Sequence, residues 1–459
     1  MGSRERWLAV GYTAGLAVAA GASWVRVWLA GSLRIETSAA AFWQCSLLLG
    51  AGLLLAAICS WKLIQAAEGI PARTTLLWAV PGYLILAFAA PITSADFYQY
   101  VAYGLLDLAG KNPLAVGPNA LDPTPLLNWV PARWLLQPSM YGPVLLALFR
   151  LGALLGKLAG APLWGAMIAT KLLMGLATFL ALVLAARVTT SRRAIAMLAF
   201  SPLLAWELTG QGHSDALVLL ALVLFVWAAT ADRELLAVLA ITAGTLAKLT
   251  MAPVLALYLL FLLRKQPLRA VLYGFAGLAL TALLSLPYVK GFAGITPFLG
   301  AVRGTRSHSL GDLLAIVVTP LGPAAQDAVV RASFFLCIAL CAVAFGATVL
   351  RARTVQQLLL GCLLFLLVWD LTVPLFQTWY ISWLFPLALR LADKRWLRLV
   401  ALYGTFSVLQ WAVQLDPLTT VVINGWVVWQ MVRLLRSPAP DERGEHQVAE
   451  WHAPVGAGQ

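Results

Sequence analysis

Residues 75–91, TLLWAVPGYLILAFAAP, run without a single charge and then break into Ile92-Thr93-Ser94-Ala95-Asp96-Phe97-Tyr98-Gln99-Tyr100. A hydrocarbon core roughly 30 Å thick needs about 20 apolar residues in helical form, so the first half reads as a crossing and the second as the surface where it emerges. Upstream lie two more such stretches, 7–30 and 38–60; downstream the pattern returns from 163–186 to 418–436. About fourteen stretches fit the length rule, including 193–207, 249–263 and 377–391. Composition agrees: of 459 residues 61% are hydrophobic and only 11% charged, with 19 Trp, far from a soluble average. The sequence predicts an all-α polytopic membrane protein, one domain over 1–436, with a large first outer loop at 92–140 carrying short amphipathic helices. The polar stretch 437–459 reads as a disordered cytoplasmic tail.

The net charge of +13 does not point to nucleic acid. Its Lys and Arg residues stand in short clusters between apolar runs: Lys62/Arg73, Arg187/Arg192/Arg193, Arg264/Lys265/Arg269, Arg351/Arg353 and Lys394/Arg395/Arg398. With the N-terminus inside, all fall on the cytoplasmic side, as the positive-inside rule requires. Residues 141–158 are apolar as well, but counting them as a crossing would put Arg187, Arg192 and Arg193 outside. They are expected to lie in the outer leaflet or to re-enter it. The cysteines at 45, 59, 337, 341 and 362 sit in or beside apolar runs with no CxxC, which reads as core packing rather than metal binding or a disulfide framework.

On this topology the uncommon polar residues gather at one face. Asp96 follows the third crossing; Glu207, His213 and Asp215 flank the turn Gly210-Gln211-Gly212; Lys248 lies between two crossings; Asp370 ends one just before Gln377-Thr378-Trp379-Tyr380. The loop from about 289 to 325 adds Arg303, Arg306, His308 and Asp312. Ionisable groups at membrane depth are expensive and mark functional sites by default. For Asp96 two readings stay open: a first-turn acid on a helix dipole, or one edge of a ligand face, since Asp96, Tyr100 and Tyr103 fall at i, i+4 and i+7. Lys171, inside an apolar run, reads as structural, snorkelling or paired with a carboxylate. Arg303, Arg306 and His308 suit a phosphate clamp.

Five segments in this order, ITSADFYQYVAYG (92–104), GKNPLAVGPNAL (110–121), QPSMYGPVLL (137–146), GQGHSDALVLL (210–220) and QTWYISWLFPLAL (377–389), resemble the bacterial polyprenyl-phosphate-mannose-dependent mannosyltransferases of lipomannan-type glycans. These belong to the GT-C class of integral-membrane glycosyltransferases. The resemblance covers about residues 80–390. It implies a GT-C-type helical bundle with about 13–15 transmembrane helices in the bacterial cytoplasmic membrane and a site facing outside. It also implies a donor sugar on a polyprenyl phosphate, a glycolipid or glycan acceptor, and Asp96 as catalytic base. Matching positions include Tyr98, Tyr100, Asn112, Pro113, Tyr141, Gly142, Pro143, His213, Asp215, Trp379 and Tyr380, of which Tyr98, Tyr100, Tyr141, His213, Asp215, Trp379 and Tyr380 are expected to meet acceptor or sugar. Family members often carry Arg-Asp or Ser-Asp where Ala95-Asp96 stands, so a role for a basic residue there does not transfer.

The chemistry is consistent with that resemblance. A carboxylate within reach of the acceptor hydroxyl removes its proton as it attacks the anomeric carbon. The leaving phosphate already bears charge and needs cations or donors, for which Lys248, Arg303, Arg306 and His308 are the candidates. No Asp-x-Asp occurs, so the expectation is an inverting, metal-independent transfer with no cofactor. The competing class is a transporter or lipid flippase, whose charges would lie nearer the midplane in two related halves. A third reading is a GT-C enzyme taking another polyprenyl-phosphate-linked sugar.

Overall fold

The computed structural model describes residues 3–30, 33, 39–289, 309–413 and 418–437. Within them the chain is an all-α polytopic membrane protein. The helices are α1 (Ser3–Ala30), α2 (Ala39–Ala66), α3 (Ala72–Ala87), α4 (Asp96–Leu108), α5 (Ala132–Leu135), α6 (Pro143–Leu158), α7 (Pro162–Val188), α8 (Arg192–Ala199), α9 (Asp215–Thr230), α10 (Glu234–Ala247), α11 (Ala252–Lys265), α12 (Pro267–Ser285), α13 (Leu310–Val317), α14 (Pro323–Arg351), α15 (Val355–Thr372), α16 (Leu384–Arg390), α17 (Lys394–Val413) and α18 (Leu418–Arg436). Arg303, Arg306 and His308, and the tail beyond 437, lie outside the described residues.

Apolar runs become helices here because hydrocarbon offers backbone groups no partner but one another. Their starts are set by local chemistry. Proline stands at the first position of α6, α7, α12 and α14, where its missing N–H costs nothing. Before α15, the Thr354 hydroxyl accepts from Gln357 N (3.2 Å) while Gln357 Oε1 accepts from Thr354 N (3.2 Å), a reciprocal cap. Among the described residues 7 helices are long and apolar enough to cross a bilayer. Their outward faces leave Leu47, Phe275, Phe335 and Val343 each more than 60% exposed, an apolar surface suited to lipid.

Small residues let the helices approach. Gly11, Gly15 and Ala19 on α1 recur every four residues and face Cys59, Gly52 and Ala56 of α2; a Cβ on Gly15 would stand 2.6 Å from Gly52 O. Gly152 and Gly156 of α6 meet Thr170 and Ala166 of α7 in the same way, which makes the two helices an antiparallel hairpin turned at Gly160 (φ +70°). The first residue before α6, Gly142, donates its N–H to Ala247 O at the end of α10 (3.1 Å). This bond sets the start of α6 beside Lys248, and α6 then packs antiparallel to α7.

Two of the expected crossings are interrupted. Residues 193–207 hold only the eight-residue α8, then Ser201-Pro202, then a π-helical turn Leu204–Gly210 that is buried throughout. Residues 377–391 form a 3₁₀ segment, Thr378–Trp383, before α16. Hydropathy registers apolarity and not the backbone form, and irregular backbone survives at membrane depth where protein surrounds it. Contacts between chain-distant residues tie one end of the bundle together: Arg192 Nη1 donates to Glu68 O (2.7 Å), Gln356 Nε2 to Arg390 O (3.0 Å), and Arg398 lies over the Trp61 ring. At the other end of these helices stand Asp96, Asp215 and Lys248.

Candidate active site

The turn after the π-helix sets up the site. Gly212 adopts φ +73° with Phe97 against it, a conformation and a space that suit glycine. The chain then enters α9 through His213, Ser214 and Asp215. Gln211 Oε1 accepts from the backbone N–H of Ile92 (2.6 Å) and Thr93 (2.9 Å), which pins the start of the outer loop to this turn.

Asp215 is wholly buried, and both of its oxygens have partners. Oδ2 accepts from Lys248 Nζ at 2.7 Å and Oδ1 from Trp383 Nε1 at 2.7 Å. The Lys248 ammonium in turn stands 5.7, 5.1 and 5.6 Å from the ring centroids of Tyr141, Tyr380 and Trp383, within the range of cation–π attraction. Tyr380 and Trp383 stack on each other at 4.5 Å. The sequence reading assigned Lys248 to the donor phosphate and Asp215 to a sugar; the fold makes them one ion pair inside an aromatic cage.

Asp96 is the first residue of α4, half-buried, its backbone N–H held by Ser94 Oγ at 3.1 Å. Among the described residues its carboxylate has neither a hydrogen bond nor an ion pair. Burial first and then the charge of Asp96 push the phenols of Tyr100, Tyr103 and Tyr141 above their ordinary range, so all three stay protonated. Tyr100 stacks on Phe149 (4.8 Å), meets Tyr141 edge-on (5.0 Å) and accepts from the Ser214 hydroxyl at 3.3 Å. One turn of α4 thus links Asp96 to the Asp215 corner.

A second polar knot lies beside the first. His213 stacks on Trp379 at 3.5 Å, with its Nε2 3.5 Å from Glu207 Oε2. Glu207 Oε1 accepts from the Thr378 hydroxyl at 2.9 Å. The pair fixes the beginning of the 378–383 segment, whose Tyr380 and Trp383 build the cage. Asp370 of α15 is fully buried, and neither carboxyl oxygen has a hydrogen-bond partner among the described residues.

Other expectations fare differently. Tyr98 is not brought into this cluster: its hydroxyl donates to Pro91 O (3.1 Å) and its ring meets Phe97 and Trp129. Successive helical residues point about 100° apart, so Tyr98 and Tyr100 leave α4 on different sides. Tyr103 likewise spends its hydroxyl on Gln137 O (3.0 Å). Among the described residues Lys171 pairs with no carboxylate; it donates to the carbonyls of Gly210 (2.7 Å), Leu86 (3.4 Å) and Ala89, joining the end of α3 to the π-turn. The five cysteines are buried and free. Among the described residues no group of three or more His, Cys, Asp or Glu is placed to hold a metal ion. Trp383, Phe149 and Ser214 escaped the sequence reading. The repeat Trp379-x-x-x-Trp383 within the quoted motif was the one available signal.

Residues 7–264 match the family model described as alpha-(1->6)-mannopyranosyltransferase, N-terminal domain. That stretch contains Asp96, Tyr100, Tyr141, His213, Asp215 and Lys248, and ends before the 378–383 segment. Over 79 residues the chain is 37% identical to alpha-(1->6)-mannopyranosyltransferase A of Mycobacterium tuberculosis (strain ATCC 25618 / H37Rv), a segment covering 17% of this chain and 14% of that protein. No solved structure matches.

Proposed function

The chain belongs to the alpha-(1->6)-mannopyranosyltransferase family matched by its residues 7–264, and on that premise we propose that it transfers mannose from a polyprenyl-phosphate donor to a glycolipid or glycan acceptor. The site faces the outer side of the bacterial cytoplasmic membrane in this reading, within a GT-C-type bundle. The observation that carries it is the Asp96 carboxylate: unpartnered among the described residues, it lies one turn of α4 before Tyr100, whose ring meets Tyr141 of the cage around the Asp215–Lys248 pair.

The proposed step is an inverting displacement. Asp96 takes the proton of the acceptor hydroxyl while that oxygen attacks the anomeric carbon from the face opposite the phosphate. The bond from that carbon to the phosphate oxygen breaks, and the electron pair leaves with the polyprenyl phosphate. Lys248 has donors left beyond the one given to Asp215, and these face the growing phosphate charge, with Arg303, Arg306 and His308 as further candidates. Tyr380, the partly exposed ring of the cage, is the aromatic group placed to meet the apolar side of a sugar ring. Metal independence belongs to the same proposal: a monophosphate leaving group is already an anion, and cationic side chains suffice to hold it.

The test is transfer by the purified protein in lipid vesicles with labelled polyprenyl-phosphate-mannose, then with glucose and pentose donors, following label into a glycolipid acceptor. Mannose label in the acceptor, lost in Asp96→Asn, supports the reading. Label moving across the bilayer with no new glycosidic bond would replace it with the transporter class, and preference for another donor would reassign the sugar.

A further inference from the structure

At the end of the bundle away from Asp96, two grooves adjoin. One, about 430 Å³, lies between α17 and α18 and is lined by Arg395, Arg398, Trp426, Gln430, Arg433 and Leu434 among others. Its neighbour, about 270 Å³, runs between α2 and α17 over Ala57, Trp61, Ile64, Met197, Phe406 and Leu409. Arg398 and Leu402 line both, so the grooves share a wall.

Not all of these charges are spent internally. Arg395 is engaged by Asp393 through a fork of hydrogen bonds at 2.8 to 3.0 Å. Arg398 and Arg433 have no carboxylate or hydrogen-bond acceptor among the described residues; each guanidinium rests over a tryptophan ring, Trp61 at 5.4 Å and Trp429 at 5.8 Å. At these distances cation–π attraction holds each guanidinium near its ring and leaves its N–H groups available to an anion. Lys62 stands on the second groove's rim. A basic mouth continuous with an apolar crevice on the side of a helical bundle has the form of a lipid: phosphate held at the mouth, acyl chain along the crevice. A solvated positive-inside cluster would need neither the crevice nor the aromatic seats.

We propose that this pair of grooves is a binding site for one anionic phospholipid of the leaflet at that end, its phosphate between Arg398 and Arg433 and a chain against Ala57, Phe406 and Leu409. The site is separate from the proposed sugar-transfer centre, so its test stands whether or not that reading holds.

The whole protein is purified in mild detergent and offered phosphatidylglycerol or phosphatidylcholine, with bound lipid counted by native mass spectrometry. Retention of phosphatidylglycerol over phosphatidylcholine is expected, with affinity falling roughly 30-fold in Arg398→Gln/Arg433→Gln, from about one headgroup contact's worth per arginine. A photoreactive phosphatidylglycerol should label wild-type peptides from 394–409 and 426–437, which keeps the idea testable if the double variant does not fold. Equal retention of both lipids, unchanged binding in the variant, or labelling confined to other helices would overturn the assignment. So would displacement of the lipid by polyprenyl phosphate at equal concentration, since the occupant would then be the donor lipid.

Discussion

Lys248→Met is the sharpest perturbation of the Asp215 corner. The two charged atoms are 2.7 Å apart, with the Asp215 side chain 0% and the Lys248 side chain 12% exposed. Removing one partner of a buried pair strands the other, at about 3–5 kcal/mol. The Trp383 indole still donates to Oδ1, and a hydrogen bond to a charged group contributes about 1.5–3 kcal/mol, so the loss should fall at the lower end, about 3 kcal/mol. Asp215→Asn is milder. Its amide oxygen still accepts from Trp383, and Lys248 keeps its three aromatic rings and a path to water, so about 1–2 kcal/mol is expected. The double variant Asp215→Asn/Lys248→Met should be more stable than Lys248→Met alone, because no charge is left stranded. Reversible denaturant unfolding in mixed micelles measures all three. The reasoning fails if Lys248→Met costs less than about 1 kcal/mol, or if the double variant's loss equals the sum of the singles, which would show two independent side chains rather than one unit.

Asp96→Asn keeps the shape and the start of α4, so transfer should drop by roughly 10²- to 10⁴-fold with donor binding retained; near wild-type turnover would move the base to Asp215, Glu207 or Asp370. Gly142→Ala would place a Cβ 2.1 Å from Leu246 O, forcing Tyr141 out of the cage, and a displacement of about 1 Å there should cost on the order of 10²-fold in turnover; an active variant with unchanged unfolding would show that the backbone yields. Lys171→Met strips a donor from the carbonyls of Ala89 and Gly210 and should destabilise by at least about 2 kcal/mol in the same unfolding measurement, whereas a smaller loss would make the lysine dispensable. Arg303→Ala and Arg306→Ala should each raise the donor KM more than they lower kcat, and unchanged kinetics in both would leave them as ordinary loop charges.

Hydropathy alone carried the fold class, since membrane crossing demands long apolar helices and apolarity is a local property of the chain. The same logic made Asp96 a candidate: an acid at the end of an apolar run is conspicuous wherever it stands. What it could not give was pairing. Asp215 and Lys248 lie 33 positions apart, and Asp215 and Trp383 168 apart, and only the packing of α9, α10 and the 378–383 segment brings them within 2.7 Å. Tyr98 and Tyr100 look equivalent in sequence, yet their angular separation on α4 sends one to Pro91 and the other to Ser214. Lys171 read as snorkelling or paired with a carboxylate because sequence displays charges and hides carbonyls; the fold supplied backbone oxygens from the end of α3 and the π-turn instead. Likewise, apolarity measured by residue counted 193–207 and 377–391 as crossings, while the π-turn and the 3₁₀ segment that replace them position Glu207, His213 and the cage. Composition is a property of neighbours along the chain. A site is a property of neighbours in space, fixed by which helix faces meet and at what depth.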